Sequence, residues 1–416
     1  MRIFIWHGYL LAGTGSNIFA RELARHWSEA GHDVTVFSQE PHPEGFDLAG
    51  ALTVRPDVGG LLPVFVLDRY EGYRVELVQD VSRADLDAWV AANAAAIRDR
   101  LPADLVVADH VVLGGPVAAA AGAPYTVAVH GSELEYSMRG NPELSEWGAR
   151  SLAGATAVIV GSEHIEGVLE EVCGPVERVH IVPPGVDVDE WRPRARDEAL
   201  AGLLEEARRD PPNPGNANER LPDEGNADRL AAFLAGDMPT VVYFGKLIPN
   251  KGVQVLLDAL PEVDARAVIV GFGPARAELE RRAEGLRALF TGPFEHRHLV
   301  HLLALADVAV VPSIFPEAFG MVAAEAAAAG CPPVVAYHSG LAEVAKGLEQ
   351  SYPPGMGRLA SFANGDHAEL ADRIRAILAL PESDRTALRA AARRAAVDRW
   401  GWGSVATRIL EASLDG

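Results

Sequence analysis

The sequence predicts an α/β protein with two domains, each a doubly wound parallel sheet with helices on both faces. Short apolar runs such as residues 3–6 and 241–244 alternate with amphipathic helical stretches, which is the pattern of strands buried on both faces. This alternation stops near Pro183 and restarts near Val241 in a chain of 416 residues. Two separate blocks of strand–helix alternation favour two parallel sheets joined by a linker.

The two blocks carry similar elements in a similar order. In the first block we predict strands at residues 3–6, 34–37, 105–107, 125–129 and 157–160, and helices around 17–30 and 84–100. In the second block we predict strands at 241–244, 267–270, 308–311 and 334–336, and a helix from Gly252. Ligands of open parallel sheets bind at the carboxyl ends of strands. We therefore expect the chemistry in loops that follow strands, in a cleft between the two domains.

The stretch between the blocks has a different composition. Residues 211–216 and 222–226 are rich in Pro, Asn and Gly, and a charged helical segment precedes them. Such residues favour turns over regular structure. The sequence therefore predicts a first domain at 1–190, a linker with a mobile insertion at 191–239 and a second domain at 240–399.

Composition argues against several kinds of partner. Lys plus Arg is 37 and Asp plus Glu is 58, so the formal net charge is −21, and nucleic acid or an anionic membrane surface would repel such a chain. The two cysteines, Cys173 and Cys331, cannot form a disulfide framework. No apolar run approaches the roughly 18 residues of a membrane span, and the amino terminus does not resemble a signal peptide. We expect a cytoplasmic protein without strong membrane association.

Two glutamates mark the strongest constellation in the sequence. Glu317 lies in a loop after the predicted strand 308–311, and Glu325 lies eight residues later in an alanine-rich helix. Gly320 would let a ligand approach the start of this helix, where unpaired N–H groups favour anions. A buried carboxylate needs hydrogen-bond donors, which sugar hydroxyls would supply. Spacing alone leaves an alternative open, in which Glu317 caps the helix and Glu325 is exposed.

A second loop adds positive charge. Lys246 and Lys251 lie five residues apart between Gly245 and Gly252, after the predicted strand 241–244. Two ammonium groups in a glycine-flanked loop that opens a helix suit a diphosphate. The alternative is a solvated loop with two ordinary lysines, although a chain this acidic has few cations to place there.

These loops resemble motifs of the retaining, nucleotide-sugar-dependent glycosyltransferases of family 4, which have the GT-B fold. Glu317 and Glu325 match the E-x7-E motif, and residues 245–252 are similar to the G-[RK]-x4-KG motif, with lysine where arginine is common. The resemblance covers most of the chain, including an interdomain signature at 182–187. It implies two Rossmann-like domains that face each other across a cleft, with a helix at about 400–416 that crosses back to the first domain.

The resemblance implies that the second domain binds the donor. Lys246 and Lys251 would neutralise the diphosphate as the glycosidic bond breaks. Glu317 would bind hydroxyls of the transferred sugar, and Glu325 would bind those of the ribose. The other donor-binding residues that the resemblance implies are Gly245, Gly271, Gly273, Thr291, Gly292, Phe319, Gly320, Met321 and Val322.

In the first domain the resemblance points to a glycine loop and to a histidine loop. Gly15 would close over the diphosphate, and His130 would contact the donor sugar near the reacting centre. The acceptor-binding residues that we predict are Gly13, Ser16, Asn17, Asp109 and Glu133. The acids Asp109 and Glu133, with Glu135, raise the hypothesis of a cationic acceptor such as an aminocyclitol. The alternative is that they are ordinary surface acids.

The reaction that these inferences predict is transfer of a hexose-type sugar from a nucleotide diphosphate sugar to a hydroxyl of a small, soluble, polar acceptor. Retention would follow from front-face substitution, in which the leaving diphosphate accepts the proton of the acceptor. A UDP-linked donor is predicted, and donors with guanosine or adenosine are left open. A homodimer is also left open. No tightly bound cofactor and no metal are expected, because the lysines take the role of a metal. We interpret the pair Asp187 and Asp189 as a turn, and His296, His298 and His301 as a solvated helix start.

Three other functions remain open. A nucleotide-sugar epimerase would have the same architecture, and a non-catalytic sugar-binding protein would bind the donor without turnover. An NAD-dependent oxidoreductase is suggested by Gly13 and Gly15, although Ile18 stands where the dinucleotide fingerprint prefers Gly or Ala. Such an enzyme would leave the lysine pair and the glutamate pair unexplained.

Overall fold

The computed structural model describes residues 1–11, 15–66 and 70–415. The chain forms two compact units, of which the first comprises Met1–Gly185 with Trp402–Gly416 and the second comprises Val186–Gly401. The chain therefore passes between the units at two places, after Gly185 and after Gly401. The segment 191–239, which we predicted as a separate linker and insertion, belongs to the second unit.

The first unit is built on a seven-stranded sheet in which all neighbouring strands are parallel. Its strands are β1 (Arg2–Trp6), β2 (Asp33–Phe37), β3 (Leu52–Val54), β6 (Leu105–Asp109), β7 (Tyr125–Val129), β8 (Ala157–Val160) and β9 (Val179–Ile181), and a separate parallel pair is formed by β4 (Leu61–Val64) and β5 (Arg74–Leu77). The strand order is β3-β2-β1-β6-β7-β8-β9. Successive strands are therefore added toward one edge of the sheet from β1 to β3 and toward the other edge from β6 to β9. The gap between β1 and β6 is the switch point of this sheet.

Helices cover both faces of this sheet. They are α1 (Gly15–Glu29), α2 (Arg83–Arg98), α3 (Gly115–Ala121), α4 (Pro142–Ala153) and α5 (Glu163–Cys173). Phe4 and Trp6 of β1 join one apolar cluster, whereas Ile3 and Ile5 join another, because successive side chains of a strand point to opposite faces. Several helices begin at a capping side chain, as at Ser82, whose Oγ accepts the amide of the third helical residue.

The second unit repeats the plan with a six-stranded sheet of parallel neighbours. Its strands are β10 (Thr240–Phe244), β11 (Arg266–Val270), β12 (Ala288–Phe290), β13 (Val308–Val311), β14 (Pro333–Ala336) and β15 (Ser361–Phe362), in the order β12-β11-β10-β13-β14-β15. Its helices are α6 (Arg196–Arg209), α7 (Asn226–Phe233), α8 (Val253–Ala259), α9 (Arg276–Arg282), α10 (His296–Leu305), α11 (Met321–Ala328), α12 (Ser339–Ser351), α13 (His367–Leu378) and α14 (Glu382–Trp400). The switch point lies between β10 and β13.

The segment expected to be a mobile insertion is packed onto the second unit. Leu203 of α6 and Leu230 of α7 are fully buried, and α6 lies along α10. Asp223, between the two helices, accepts hydrogen bonds of 2.8 and 2.6 Å from both terminal nitrogens of Arg276. The Pro, Asn and Gly residues do form turns, but the flanking helices α6 and α7 pack their apolar faces onto the second unit and so hold these turns against it. The segment is therefore part of the packing of the second unit, and its mobility stays a prediction.

The last helix, α15 (Trp402–Leu414), belongs to the first unit. Trp402 is 4% exposed, and its ring lies 5.9 Å from that of Phe19 on α1. Trp27 of α1 donates from Nε1 to the carbonyl of Ala406 at 3.0 Å. Apolar burial and an indole hydrogen bond thus fix this helix against α1. Within residues 1–11, 15–66 and 70–415, none of the helices is both long enough and apolar enough to cross a membrane.

Candidate functional site

In the second unit, the loops after the two switch-point strands are bound to each other. The loop after β10 contains Asn250, whose carbonyl accepts the amide of Ile314 at 2.9 Å and the hydroxyl of Ser313 at 3.1 Å. Gly252 lies so close to the other loop that a Cβ at this position would be 1.8 Å from the carbonyl oxygen of Pro312. Its φ of +70° also favours glycine. Glycine is therefore required for the two loops to meet.

This junction brings one predicted lysine onto one predicted glutamate. Lys251 Nζ donates to Glu317 Oε1, and both side chains are only partly exposed. The side chain of Lys246 is exposed and has no hydrogen-bond or ion-pair partner among the residues that the structure describes. Three lysines occur in the whole chain, so finding two of them in this loop is not explained by general surface composition. The loop therefore has one lysine that is paired with a carboxylate, Lys251, and one whose ammonium group is an open cation, exposed to solvent, Lys246.

Glycines also join the loops after β10, β11 and β12. A Cβ on Gly271 would lie 1.8 Å from the carbonyl oxygen of Gly245, and the amide of Gly271 donates to the carbonyl of Gly292 at 3.0 Å. A Cβ on Gly273 would lie 2.5 Å from the carbonyl oxygen of Leu247. The structure thus gathers Gly245, Gly271, Gly273 and Gly292 at one edge of the sheet, where backbone can approach a ligand.

Helix α11 begins immediately after the glutamate loop. Gly320 precedes it with a φ of +124°, and Met321 and Val322 form its first turn, where amides have no acceptor within the helix. Phe319 is buried against the ring of Trp400, with ring centroids 6.0 Å apart. Phe319 therefore anchors the helix start through its side chain, and only its backbone is placed to face a ligand.

Glu325 lies within α11 in an apolar setting. Burial raises the pKa of its carboxyl to about 7, which Glu190 reinforces and His296 opposes. In the described part of the chain, the Glu325 carboxylate has no hydrogen-bond donor. A carboxyl with this environment gains from hydroxyl donors supplied by a ligand. This is the chemistry expected for a residue that binds a ribose.

Thr291, which the resemblance places near the nucleoside, is held by the segment that we expected to be mobile. Its carbonyl accepts the amide of Asp223 at 2.9 Å and the side-chain amide of Asn226 at 2.8 Å. A Cβ on Gly292 would be 2.9 Å from Asp223 Oδ1. Asp223 and Asn226 therefore shape this loop. Their role was not predicted, because they lie in a turn-rich stretch far from Thr291 in the sequence.

In the first unit, a buried chain of side chains spans the switch point between β1 and β6. Asp109 accepts from His7 Nδ1 at 2.7 Å and from His130 Nε2 at 2.9 Å, and His7 Nε2 lies 2.9 Å from Asn17 Oδ1. Asp109 and His7 are at most 1% exposed, whereas His130 is 16% exposed. His130 is thus the member of the chain that solvent can reach.

The electrostatics of this chain follow from its contacts. Burial disfavours the charge of Asp109, but the adjacent His130 and His7 hold its pKa well below the usual range. Burial likewise disfavours a charged His130, yet Asp109 and Glu133 raise the pKa of its ring above the ordinary value. The pair therefore favours a carboxylate beside a protonated imidazole.

Glu133 forms a second buried contact set next to the first. Its Oε1 accepts the amide of His130 at 3.0 Å, and its Oε2 accepts from His110 Nδ1 at 3.1 Å. Burial would raise the pKa of Glu133, but His110 and His130 lower it to about 2. His110 has a φ of +75°, which is rare outside glycine. The turn after β6 is thus held in a strained form by this pairing.

Three acids were predicted to lie near the acceptor, and their contacts differ. Asp109 and Glu133 are buried, and both oxygens of each accept hydrogen bonds from protein groups. Glu135 is paired with Arg139 at 2.9 Å. Asp109 and Glu133 are therefore not the ordinary surface acids of the alternative interpretation, whereas Glu135 is an exposed acid in an ion pair. The hypothesis of a cationic acceptor stays a prediction. Two of the acids orient histidines.

The remaining residues predicted in the first unit lie at the start of α1. Gly15 and Ser16 are its first residues, and Asn17 is 3% exposed and bound to His7. Gly13 lies outside the described residues. His7 and His110 were not among the predicted site residues, although both directly follow strands, as His130 does.

Of the three histidines predicted at the start of α10, His298 has a structural role. His298 is fully buried, contacts Asp210 at 3.0 Å and stacks on Phe294 with ring centroids 4.5 Å apart. The expectation of a solvated helix start was therefore wrong for His298, because the docked α6 segment covers it. Asp187 Oδ1 accepts the amides of Asp189 and Glu190, as a turn does. Among the described residues, no group of His, Cys, Asp or Glu is arranged to hold a metal ion.

Comparison with known families agrees with this architecture. The model described as Glycosyltransferase Family 4 matches residues 13–190, and the model described as Glycosyl transferases group 1 matches residues 238–379. The chain belongs to the family 4 type of GT-B glycosyltransferases. The two matches correspond to the two sheets, so the glycosyltransferase assignment rests on both units.

Two relatives illustrate the range of similar glycosyltransferases. The D-inositol 3-phosphate glycosyltransferase of Xylanimonas cellulosilytica is 28% identical over 95% of this chain and 90% of that protein. A GDP-mannose-dependent alpha-(1-6)-phosphatidylinositol dimannoside mannosyltransferase of Mycobacterium tuberculosis is 39% identical over 38% of this chain and 40% of that protein. The glycosyltransferase described here is accordingly an enzyme with a nucleotide sugar as donor.

Solved structures support the GT-B fold. Anabaena Alr3699/HepE in complex with UDP and glucose is similar with a TM-score of 0.67 and 18% identity, covering 100% of both chains. The sucrose-phosphate synthase of Thermosynechococcus elongatus is similar with a TM-score of 0.62 and 22% identity, covering 100% of this chain and 99% of that chain. At these identities the likeness concerns the fold of the glycosyltransferase.

Proposed function

We propose that this glycosyltransferase moves a hexose from a UDP-linked donor to a hydroxyl of a small polar acceptor, with retention of anomeric configuration. The observation that carries the proposal is the junction of Lys251 and Glu317 at the switch point of the second unit, with the open cation of Lys246 beside it. Cations and carboxylates in one place suit a ligand that has both a diphosphate and hydroxyls.

In this proposal the second unit binds the donor. Lys246 and Lys251 stabilise the charge that develops on the diphosphate as the glycosidic bond breaks, aided by the first amides of α11. Glu317 accepts hydrogen bonds from the transferred sugar, and Glu325 accepts them from the ribose. The loops around Gly271 and Thr291 bind the nucleoside.

The first unit supplies His130 and the acceptor loops. Asp109 keeps Nε2 of His130 occupied, so that Nδ1 is the nitrogen available to a sugar hydroxyl. In front-face substitution, the acceptor oxygen bonds to the anomeric carbon as the bond to the diphosphate breaks. The acceptor proton passes to an oxygen of the leaving diphosphate, and the protein contributes positioning and electrostatic stabilisation. No metal is assigned a role in this proposal.

A second donor is favoured by the relatives. Several similar proteins are named as GDP-mannose-dependent mannosyltransferases, which makes GDP-mannose the alternative to a UDP-hexose. The two differ at the base, which the loops around Thr291 would contact. Calorimetric titration of the protein with UDP and with GDP separates them, because the favoured base binds more tightly.

The test of the function is product formation. Purified protein is incubated with UDP-glucose or GDP-mannose and a panel of polyols, inositol phosphates and sugars, and products are followed by proton NMR. An axial anomeric linkage formed from an axial donor supports a retaining transferase. Change of the sugar without acceptor indicates an epimerase, an intact donor indicates a binding protein, and a change in nicotinamide absorbance indicates an oxidoreductase.

The matched variants for this test are Glu317→Gln and Glu317→Ala. Both remove the carboxylate, and we expect turnover to fall by about 10²-fold or more, as when a transition-state hydrogen bond is lost. Affinity for the free nucleotide should stay near that of the wild type, since the nucleotide has no transferred sugar. Near-normal turnover in both variants would remove Glu317 from the site.

A further inference from the structure

The turn after β14 binds the backbone of Glu317 on both sides. The amide of Glu317 donates to Ser339 Oγ at 2.9 Å, and the amide of Gly340 donates to the carbonyl of Glu317 at 3.0 Å. A Cβ on Gly340 would lie 2.4 Å from the carbonyl oxygen of Ala318, so the two turns are in direct contact. The backbone from which the Glu317 carboxylate projects is therefore held by residues 339 and 340.

Ser339 has an unusual backbone for its residue type. Its φ is +45°, a region that glycine occupies at little cost and serine does not. A glycine would fit the backbone better but would offer no side-chain acceptor to Glu317. Ser339 therefore adopts an unfavourable backbone conformation at a position where its hydroxyl has a specific hydrogen-bond partner. Backbone strain of this kind is typical of functional sites.

The hydroxyl of Ser339 belongs to a directed hydrogen-bond chain. His338 Nε2 lies 2.6 Å from the carbonyl oxygen of Ser313, which can only accept, so this nitrogen carries the proton. In the neutral ring, Nδ1 of His338, 3.1 Å from Ser339 Oγ, is then the nitrogen that accepts the serine hydroxyl proton. The lone pairs of Ser339 Oγ are left to accept the Glu317 amide. Each bond in such a chain polarises the next.

From this geometry we propose that Ser339, supported by His338, is a positioning residue that sets the Glu317 carboxylate for the transferred sugar. The inference rests on the proposed role of Glu317. Lys251 binds the carboxylate itself, whereas Ser339 fixes the backbone beneath it. The two controls on Glu317 are thus separate, and a nucleotide that engages the lysine leaves the serine contact in place.

Two substitutions at one position separate positioning from structural support. Ser339→Ala loses the hydroxyl and keeps the backbone strain, whereas Ser339→Gly loses the hydroxyl and relieves the strain. We expect both variants to lower kcat by the same factor, about tenfold or more, while Ser339→Gly has the higher melting temperature. If activity instead follows stability, so that Ser339→Gly equals wild type and Ser339→Ala does not, the proposal is overturned.

A second measurement does not depend on catalysis. The Glu317 amide should exchange with deuterium faster in both variants than in wild type, because its acceptor is gone. Ser351→Ala, on the same helix, is the control, since Ser351 Oγ donates to the carbonyl of Gly347 at 2.8 Å, far along α12 from the turn. Unchanged exchange at Glu317 in both variants would contradict the proposal.

A coupling test ties the effect to Glu317. In a Glu317→Ala background, Ser339→Gly should cause little further loss of kcat, and affinity for the free nucleoside diphosphate should be unchanged throughout. Additive losses would overturn the inference. Failure of the wild-type protein to process any nucleotide sugar would instead reject the proposed function, and the exchange measurement would still decide whether Ser339 holds Glu317.

Discussion

The two units place different chemistry on the same topology. In the first, the strands at and beside the switch point end in His7, Asp109 and His130, which are buried and bonded to one another. In the second, the corresponding strands β10, β13 and β14 lead into glycine turns, a lysine–glutamate contact and His338. Even the histidine after the strand next to the switch point recurs, as His130 and His338.

The difference lies in which groups are left open. In the first unit, Asp109 accepts hydrogen bonds from both His7 and His130. Of these three side chains His130 is the partly exposed one, so the site offers one oriented imidazole. In the second, backbone bonds hold the loops, and Lys246 remains open to solvent. A polyanion needs free cations and helix-start amides, whereas an oriented histidine serves an uncharged hydroxyl. Function here follows from the loops and not from the sheets.

The largest expected effect comes from the second unit. Lys251→Ala should lower turnover about 10²- to 10³-fold, because it removes charge stabilisation of the leaving diphosphate and releases Glu317. Steady-state kinetics with the preferred donor measure it. Lys346→Ala, in the third lysine of the chain, is the control and should retain turnover. Equal losses of turnover in both variants would contradict a specific role of the Lys251 loop in catalysis.

The docked segment of the second unit gives a stability prediction. Asp223 is 4% exposed and binds Arg276. Asp223→Ala should cost about 3 kcal/mol of unfolding free energy, because it leaves both terminal nitrogens of a partly buried guanidinium without their carboxylate. Urea denaturation measures it. The exposed Asp264, which pairs with Arg287 on the surface, is the control, and Asp264→Ala should have a far smaller effect. Similar losses would mean that the segment is not docked through Asp223.

A smaller effect is expected from the first unit. Asp109→Asn should lower the pKa of the His130 ring, because the carboxylate that raises it is gone; NMR titration of the ring protons measures this. Because the pKa of Asp109 is lowered in the fold, its carboxylate stabilises the wild-type fold at pH values above the ordinary carboxyl pKa. This stabilisation is lost as pH falls. The raised pKa of His130 adds stability below its ordinary value, lost as pH rises. An unchanged His130 titration would contradict the pairing.

The mildest prediction concerns Glu325. Because its pKa is raised to about 7, its contribution to stability is full below the ordinary carboxyl pKa and is lost as pH rises toward 7. Glu325→Gln removes this dependence, so the variant should gain in melting temperature relative to wild type between pH 5 and 8. Glu284→Gln, on an exposed glutamate, should show no such trend. A constant difference across this range would place Glu325 in a solvated setting.

Prediction from sequence succeeded where local pattern decides structure. Buried strands were located within a few residues, because unbroken β-branched runs have few other uses, and the GT-B assignment followed from Glu317, Glu325 and the lysine loop. The fate of the 191–239 segment could not be read from composition, since its docking depends on contacts such as that between Asp223 and Thr291, far apart in sequence. Burial of Asp109 and Glu133 was missed for the same reason, because their partners come from other strands.

The docked segment has a practical consequence. Residues 214–220 at its tip are exposed, whereas Asn213 and Asp223 at its base are buried. Burial raises the pKa of both natural thiols, Cys173 and Cys331, to about 12, so neither reacts readily near neutral pH. A Glu219→Cys substitution would therefore accept a fluorophore selectively, and its emission would report nucleotide binding through the Thr291 loop without touching the ligand.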